Sequence, residues 1–196
     1  LNEVISLFKN EIQNSTVLND LGVLSGEFFL VSAHRQENVD NPKRLIELVE
    51  ALNSIAKKFE LPIIVSTHPR TKNKLDALNI QTNALVAFHT PFGFFDYSKL
   101  QKEARIVFSD SGSVSEESVI LGFPAVTIRD SMERPEALEA GSILMSGISE
   151  SGIMEAIAVL ESGRPSKSTP PEYLIPDSST RVVNFIASTV HQHSFW

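Results

Sequence analysis

The stretch Ile106–Pro124 combines residue types that could bind an anion. An apolar run is followed by Asp110, Ser111 and Gly112 and then by apolar residues at helical spacing, which predicts a buried strand, a tight turn and a helix. Unpaired amides and the helix dipole would make such a turn an anion site. Gly112 would let a ligand approach the backbone closely, and Asp110 or Ser111 can cap the helix. An ordinary capped turn in a parallel sheet explains these residues equally well.

Cationic side chains follow two other apolar runs. His34 and Arg35 come after the predicted strand Glu27–Ala33, and the segment His68–Arg70 comes after the predicted strand Pro62–Thr67. An imidazole beside a guanidinium suits a phosphate group. A loop histidine bonded to backbone is the plainer interpretation of His34.

Two further arginines, Arg129 and Arg134, follow the predicted strand Pro124–Ile128. For Arg129, a surface ion pair is a plainer interpretation than a ligand contact. The neighbouring carboxylates available for such a pair are Asp130, Glu133 and Glu136.

A group of aromatic side chains follows the predicted strand Leu85–Phe88. Its members are Phe92, Phe94, Phe95 and Tyr97. One of them could stack on a nucleobase, because an aromatic face holds a base without sequence-specific contacts. Core packing under the next helix accounts for at least two of the four.

Predicted strands alternate with predicted helices along the chain. The strands are Glu27–Ala33, Pro62–Thr67, Leu85–Phe88, Ile106–Phe108, Pro124–Ile128 and Ser142–Met145. This alternation predicts an α/β fold with a doubly wound parallel sheet of about six strands and right-handed crossovers. Parallel strands end at one edge of their sheet, where we expect the polar clusters 34–38, 68–70, 110–113 and 129–136 to converge. The convergence predicts a site for a phosphorylated ligand.

Composition narrows the classes of protein that remain. The 196 residues are 42% hydrophobic and 21% charged, as in globular proteins, and no apolar run is long enough to cross a membrane. A net charge of −7 argues against a nucleic-acid partner. The absence of cysteine excludes disulfides and fits a cytoplasmic protein. Because the chain opens at Leu1 in a helical pattern, we expect a piece of a longer protein.

Three ordered motifs make the chain resemble a known family. SAHRQENVDN, FSDSGSVSEESVILGFPAV and RDSMERPEALEAGS are similar to segments of the non-hydrolysing UDP-N-acetylglucosamine 2-epimerases. The resemblance implies one Rossmann-like half of a GT-B-type fold, here the carboxyl-terminal half, with the active site in the cleft against a missing amino-terminal half. It further implies a single domain over residues 1–196, with a linker helix at 1–20 and a closing helix at 178–191. A homodimer of the full-length protein is expected, and neither a cofactor nor a metal.

The resemblance also implies roles at the phosphate end of a UDP-sugar. His34 matches a histidine near the diphosphate that is needed for activity. Ser111, Gly112 and Ser113 match the turn that holds the β-phosphate, and Arg134 matches an arginine that faces the phosphates.

At the nucleoside end, the resemblance implies that Glu117 takes the ribose hydroxyls and, with His34, belongs to the catalytic set. Tyr97 falls where the family has an aromatic against uracil, and Phe92 lies in the uracil-binding loop. His68 lies near a second nucleotide-sugar site that regulates some bacterial members.

The family reaction eliminates UDP to give a 2-acetamidoglucal and adds it back after the proton at carbon 2 returns on the opposite face. The candidate acid/base carboxylates belong to the amino-terminal half, so this chain alone is expected to be inactive. The segment near Pro176 is more similar to the capsule and O-antigen branch that epimerises UDP-2-acetamido-2,6-dideoxy-hexoses. A GT-B glycosyltransferase donor half and a non-catalytic nucleotide-sugar-binding module are the alternatives.

Overall fold

A computed structural model describes residues 1–78, 80–132, 135–163 and 168–195. Its strands form one sheet in the order β3-β2-β1-β4-β5-β6, and every neighbouring pair is parallel. The strands are β1 Phe29–Ser32, β2 Ile63–Ser66, β3 Val86–His89, β4 Ile106–Ser109, β5 Ala125–Thr127 and β6 Leu144–Met145. This order is that of the doubly wound Rossmann fold, so the predicted fold class is confirmed.

Helices connect the strands and cover both faces of the sheet. They are α1 Asn2–Leu7, α2 Lys9–Asn14, α3 Val17–Leu21, α4 Gln36–Val39, α5 Pro42–Phe59, α6 Pro69–Leu78, α7 Phe94–Glu103, α8 Val114–Leu121, α9 Glu136–Glu139, α10 Glu150–Glu161 and α11 Ser178–Thr189. Short 3-10 segments occupy Pro171–Leu174 and Val190–Phe195. No helix in the described part of the chain is both long and apolar enough to cross a bilayer.

Alternation along each central strand divides the core into two layers. In β1, Phe29 and Val31 pack with the apolar faces of α5 and α10, whereas Leu30 packs with α3, α7 and α8. Because both faces of the strand are covered, its apolar run is continuous rather than alternating. The predicted strands therefore fall where the apolar runs are, although each observed strand is trimmed to the residues that pair in register.

Two stretches differ from a simple interpretation of the sequence. Residues 94–103, where the aromatic group suggested a ligand-stacking segment, form helix α7 with Gly93 at its N-cap. Residues 1–20 form three short helices instead of one, because Phe8 and Ser15 leave the helical conformation. Helix α11 lies within the range 178–191, and none of its residues is buried. Its role as a closing helix stays a prediction.

Candidate anion-binding site

The site lies where the strand order reverses direction. Strand β1 pairs with both β2 and β4, so the loops after β1 and β4 meet at the carboxyl edge of the sheet. Crevices at such a switch point are the usual ligand sites of open α/β sheets. The parallel topology places the predicted polar segments 34–38, 68–70 and 110–113 and the described residues 129–132 after strands that end at this edge. Residues 133–134 lie outside the described residues.

Asp110 is the residue that joins the two loops. Its carboxylate is 0% exposed and accepts hydrogen bonds from the His34 amide at 3.1 Å, the Arg35 amide at 3.0 Å and Asn38 Nδ2 at 3.0 Å. A buried carboxylate needs such donors, since its desolvation is otherwise costly. The expectation that Asp110 or Ser111 caps the following helix is wrong: the N-cap residue of α8 is Ser113, and it makes no side-chain cap hydrogen bond. We call Asp110, His34, Arg35 and Asn38 the Asp110 cluster.

His34 is oriented by the same carboxylate. Its Nδ1 lies 3.2 Å from Asp110 Oδ1, while its side chain remains 53% exposed. An imidazole that donates from Nδ1 to a carboxylate presents Nε2 to a ligand. The plainer interpretation of His34 as a histidine bonded only to backbone is thus wrong, because its ring pairs with a side chain 76 residues further along the chain.

The turn before α8 brings amides, hydroxyls and a guanidinium together. Ser111 Oγ and Ser113 Oγ are 2.9 Å apart, and the Ser113 amide donates to Ser111 Oγ at 3.4 Å. The first amides of α8 have no acceptor within the helix, as at every helix start. Arg35 donates from Nε to the Asp110 carbonyl at 2.9 Å, and its Nη2 lies 3.8 Å from where a Cβ on Gly112 would be. This combination of groups suits a phosphate.

Glu117 lies one turn into α8 and is held from the neighbouring helix. Gln101 on α7 is buried and donates from Nε2 to Glu117 Oε2. A carboxylate fixed through one oxygen can accept hydrogen bonds from ligand hydroxyls through the other. The geometry is compatible with a ribose contact, and that role for Glu117 stays a prediction.

Tyr97 and Phe92 pack against the core layer beneath α8. Burial raises the pKa of the Tyr97 phenol above its ordinary value of 10.0, and the Ser32 hydroxyl at the end of β1 is its hydrogen-bond partner. The Phe92 ring contacts His89 at a centroid distance of 5.5 Å. Both aromatics are therefore partly buried in this layer, whereas Phe94 and Phe95 are exposed. Stacking on uracil stays a prediction for both Tyr97 and Phe92.

The remaining predicted cations have different surroundings. Arg129 is 3% exposed, and its Nε lies 3.9 Å from Glu37 Oε1, so its side chain is buried and not at the surface as expected. Arg134 lies outside the described residues. His68 is exposed at the start of α6, where its carbonyl accepts from the Thr71 and Lys72 amides.

Two residues of the site, Arg44 and Gln101, are not predicted from the sequence, whereas Asn38 belongs to the predicted polar segment 34–38. Asn38 and Arg44 connect the Asp110 cluster to α5, because Arg44 donates from Nε and Nη2 to Asn38 Oδ1 at 3.2 and 3.0 Å. Gln101 supports Glu117 from α7. A polar residue four positions after Tyr97 on an otherwise apolar helical face was the available signal for Gln101. No local signal marks Arg44, since its partners come from other loops.

The fold is a Rossmann-like domain, and its candidate site lies at the switch point of the strand order. The family model described as UDP-N-acetylglucosamine 2-epimerase matches residues 1–187. The chain therefore belongs to the UDP-N-acetylglucosamine 2-epimerase family.

Similar proteins agree with this assignment. A UDP-N-acetylglucosamine 2-epimerase of Methanocaldococcus jannaschii is 36% identical over 151 residues, which are 75% of this chain and 40% of that protein. A UDP-2,3-diacetamido-2,3-dideoxy-D-glucuronate 2-epimerase of Pseudomonas aeruginosa is 34% identical over 129 residues, 66% of this chain and 36% of that protein. The chain thus spans well under half the length of these relatives.

Solved structures show the same fold. The M. jannaschii UDP-GlcNAc 2-epimerase, crystallised with UDP-GlcNAc and UDP, superposes with a TM-score of 0.81 at 30% identity, over 92% of this chain and 51% of that chain. The Neisseria meningitidis enzyme reaches the same TM-score at 22% identity, over 95% of this chain and 53% of that one. The domain is therefore one Rossmann-like half of the GT-B-type architecture of these enzymes.

Proposed function

We propose that this chain is the UDP-sugar-binding half of a UDP-N-acetylhexosamine 2-epimerase, an isomerase that inverts carbon 2 by elimination and re-addition of UDP. The observation that carries the proposal is the meeting of His34 with the α8 turn through Asp110. Family membership supports the reaction class, and the M. jannaschii relative crystallised with UDP-GlcNAc and UDP supports the ligand class.

At the phosphate end, the chain supplies donors for the charge that develops on the leaving UDP. Cleavage of the anomeric bond leaves the electron pair on the β-phosphate oxygen, and preorganised donors lower that barrier. His34, Arg35, the hydroxyls of Ser111 and Ser113 and the first amides of α8 are grouped at this turn. Asp110 holds His34 and Arg35 in place before the substrate arrives.

At the nucleoside end, the proposed contacts are a carboxylate and aromatic rings. Glu117 would accept from the ribose hydroxyls, and Phe92 with Tyr97 would border the uracil. The support is the hydrogen bond that holds Glu117 to Gln101 and the packing of both aromatics against the core cluster that contains Val114 of α8.

The proton at carbon 2 needs an acid/base group that we assign to an amino-terminal half. Exposed apolar residues of α11 support the existence of such a partner half; they are Val182, Val183, Phe185 and Ile186. We therefore expect this chain alone to bind UDP without epimerising the sugar. A homodimer of the whole protein belongs to the same proposal and is supported by family membership alone.

The sugar is the least constrained part of the substrate. A relative named for a diacetamido-dideoxyglucuronate shows that 2-epimerases similar to this chain act on more than one UDP-sugar. We propose a UDP-N-acetylhexosamine, either UDP-GlcNAc or a 2,6-dideoxy analogue. We also propose that the enzyme works in the cytoplasm and that its product is used for cell-surface polysaccharide. The support for both is the family and the sequence near Pro176.

Calorimetric titration of the chain with UDP and with ADP tests the proposal. UDP should bind, and ADP should bind about tenfold more weakly, which corresponds to about 1.4 kcal/mol. Glu117→Gln should weaken UDP binding about tenfold, because a neutral amide is a poorer acceptor for ribose hydroxyls. Glu116→Gln, on the adjacent helix position, is the matched control and should leave the affinity unchanged. A folded chain that binds neither nucleotide would contradict the proposal.

A further inference from the structure

Arg44 connects two neighbouring segments of the chain with a distant one. It lies on α5, and its guanidinium reaches Asn38 in α4, six residues earlier, and Asp130 in the loop after β5. Its side chain is 25% exposed, so most of the group is enclosed by these neighbours. A guanidinium presents its donors in a rigid fork, which suits the simultaneous bridging of two acceptors.

On one side, Arg44 fixes Asn38. Arg44 Nε and Nη2 donate to Asn38 Oδ1 at 3.2 and 3.0 Å. Since the Asn38 oxygen accepts from Arg44, its amide nitrogen must face the other way, and Nδ2 donates to Asp110 Oδ2 at 3.0 Å. Asn38 is fully buried, so the side chain has no solvent alternative for either contact.

On the other side, Arg44 holds Asp130. Its Nη1 lies 2.8 Å from Asp130 Oδ2. Asp130 follows Arg129, whose buried side chain approaches Glu37 in α4. A cavity of about 480 Å³ lies between α4, the start of α5 and residues 130–131, and Arg44 forms part of its wall. The loops after β1 and β5 are therefore joined at this point.

We propose that Arg44 is a positioning residue for the phosphate end of the site. It acts through Asn38 and Asp110, which in turn set His34 and Arg35 against the α8 turn. The expected effect of Arg44 on UDP affinity rests on the proposed function. Its expected effect on His34 and Arg35 concerns the ligand-free chain and does not depend on that function.

Two measurements on Arg44→Met test the proposal. The first is hydrogen exchange of the His34 and Arg35 amides without ligand, which should accelerate about tenfold because their acceptor Asp110 loses its support. The second is the calorimetric Kd for UDP, which should rise about tenfold because the donors are no longer preorganised. Arg105→Met, which removes a partly exposed arginine paired with Glu161 before β4, is the matched control and should change neither.

Each pattern of results decides the proposal. Changes in both measurements, absent in the control, support it. Weaker UDP binding with unchanged amide exchange would mean that Arg44 acts by its charge alone. Faster exchange with unchanged affinity would mean that Arg44 only stabilises the loop. Either result overturns the proposal. If the unmodified chain does not bind UDP, the proposed function fails, and the ligand-free exchange measurement alone decides whether Arg44 positions His34 and Arg35.

A second variant separates geometry from charge. Arg44→Lys keeps a cation near Asp130 but lacks the fork that reaches Asn38 at the same time. Its UDP affinity should be within about threefold of that of Arg44→Met. Full recovery of affinity by lysine would overturn the positioning role. If Arg44→Met fails to fold, Arg44→Lys is compared with the unmodified chain, and a loss of affinity with faster His34 exchange supports the proposal.

Discussion

The Asp110 cluster and helix α11 distribute polarity and burial in opposite ways. In the cluster, a charged group that is fully buried receives donors from three residues of the same chain. In α11, apolar side chains are exposed, and Phe185 is 63% accessible. Buried charge and exposed apolar surface are both costly unless something compensates them.

This contrast separates a region that the chain stabilises with its own hydrogen bonds from a region whose apolar surface it leaves exposed. At the Asp110 cluster, donors of the same chain already hydrogen-bond the buried carboxylate. The proposed phosphate end of the site should therefore be formed before any partner or substrate binds. At α11 no residue is buried, although the Ser179 amide at its start donates to Glu3 Oε1 at 2.9 Å. Changes at these two regions should therefore have very different effects on the isolated chain.

The largest effect is expected from Asp110→Ala. The substitution removes the acceptor of two backbone amides and of Asn38, and it should lower the free energy of unfolding by about 3–5 kcal/mol. Urea denaturation followed by circular dichroism measures the change. Asp177→Ala, which removes an exposed carboxylate paired with Arg181, is the control and should cost less than about 0.5 kcal/mol. Equal losses in the two variants would remove the contrast between the regions.

A smaller effect on the free energy of unfolding is expected from Tyr97, and it should occur at alkaline pH. Because burial raises its pKa in the folded chain, the phenol stays neutral there while the unfolded chain ionises near pH 10. Stability should therefore fall as pH rises above 10, by about 1.4 kcal/mol per pH unit from this residue.

Urea midpoints at pH 9 and 11 test this prediction. The alkaline loss should be smaller in Tyr97→Phe than in the unmodified chain. Tyr173 lies near the start of α11, and burial raises its pKa to about 12. Because both proteins contain Tyr173, its contribution to the pH dependence cancels from the comparison. Identical pH dependence of the two proteins would show that the Tyr97 phenol is not buried as described.

The smallest effect is expected from Phe185→Asp on α11. Because the ring is exposed in this chain, the free energy of unfolding should change by no more than about 0.5 kcal/mol. The same urea titration measures it, with Phe185→Ala as the uncharged companion. A loss above about 2 kcal/mol would mean that α11 packs on this domain, and the support it lends to a partner half would disappear.

Much of the fold follows from local patterns. The apolar runs at Phe29–Ser32 and Ile106–Ser109 mark central strands, because only residues covered on both faces can be apolar without alternation. Helix α7 is not predicted, because the exposed Phe94 and Phe95 obscure its apolar pattern, although Tyr97, Leu100 and Ala104 have the spacing of one helical face.

The site divides in the same way. From the residues alone one can predict that a small polar turn precedes α8 and that His34 and Arg35 follow a buried strand, since both features depend on neighbours along the chain. The folded chain is needed to show that Asp110 accepts from His34 instead of capping its own helix, and that Arg44 bridges Asn38 and Asp130. These contacts arise because the strand order places β1 beside β4, and a local pattern carries no information about which distant loops a parallel sheet brings together.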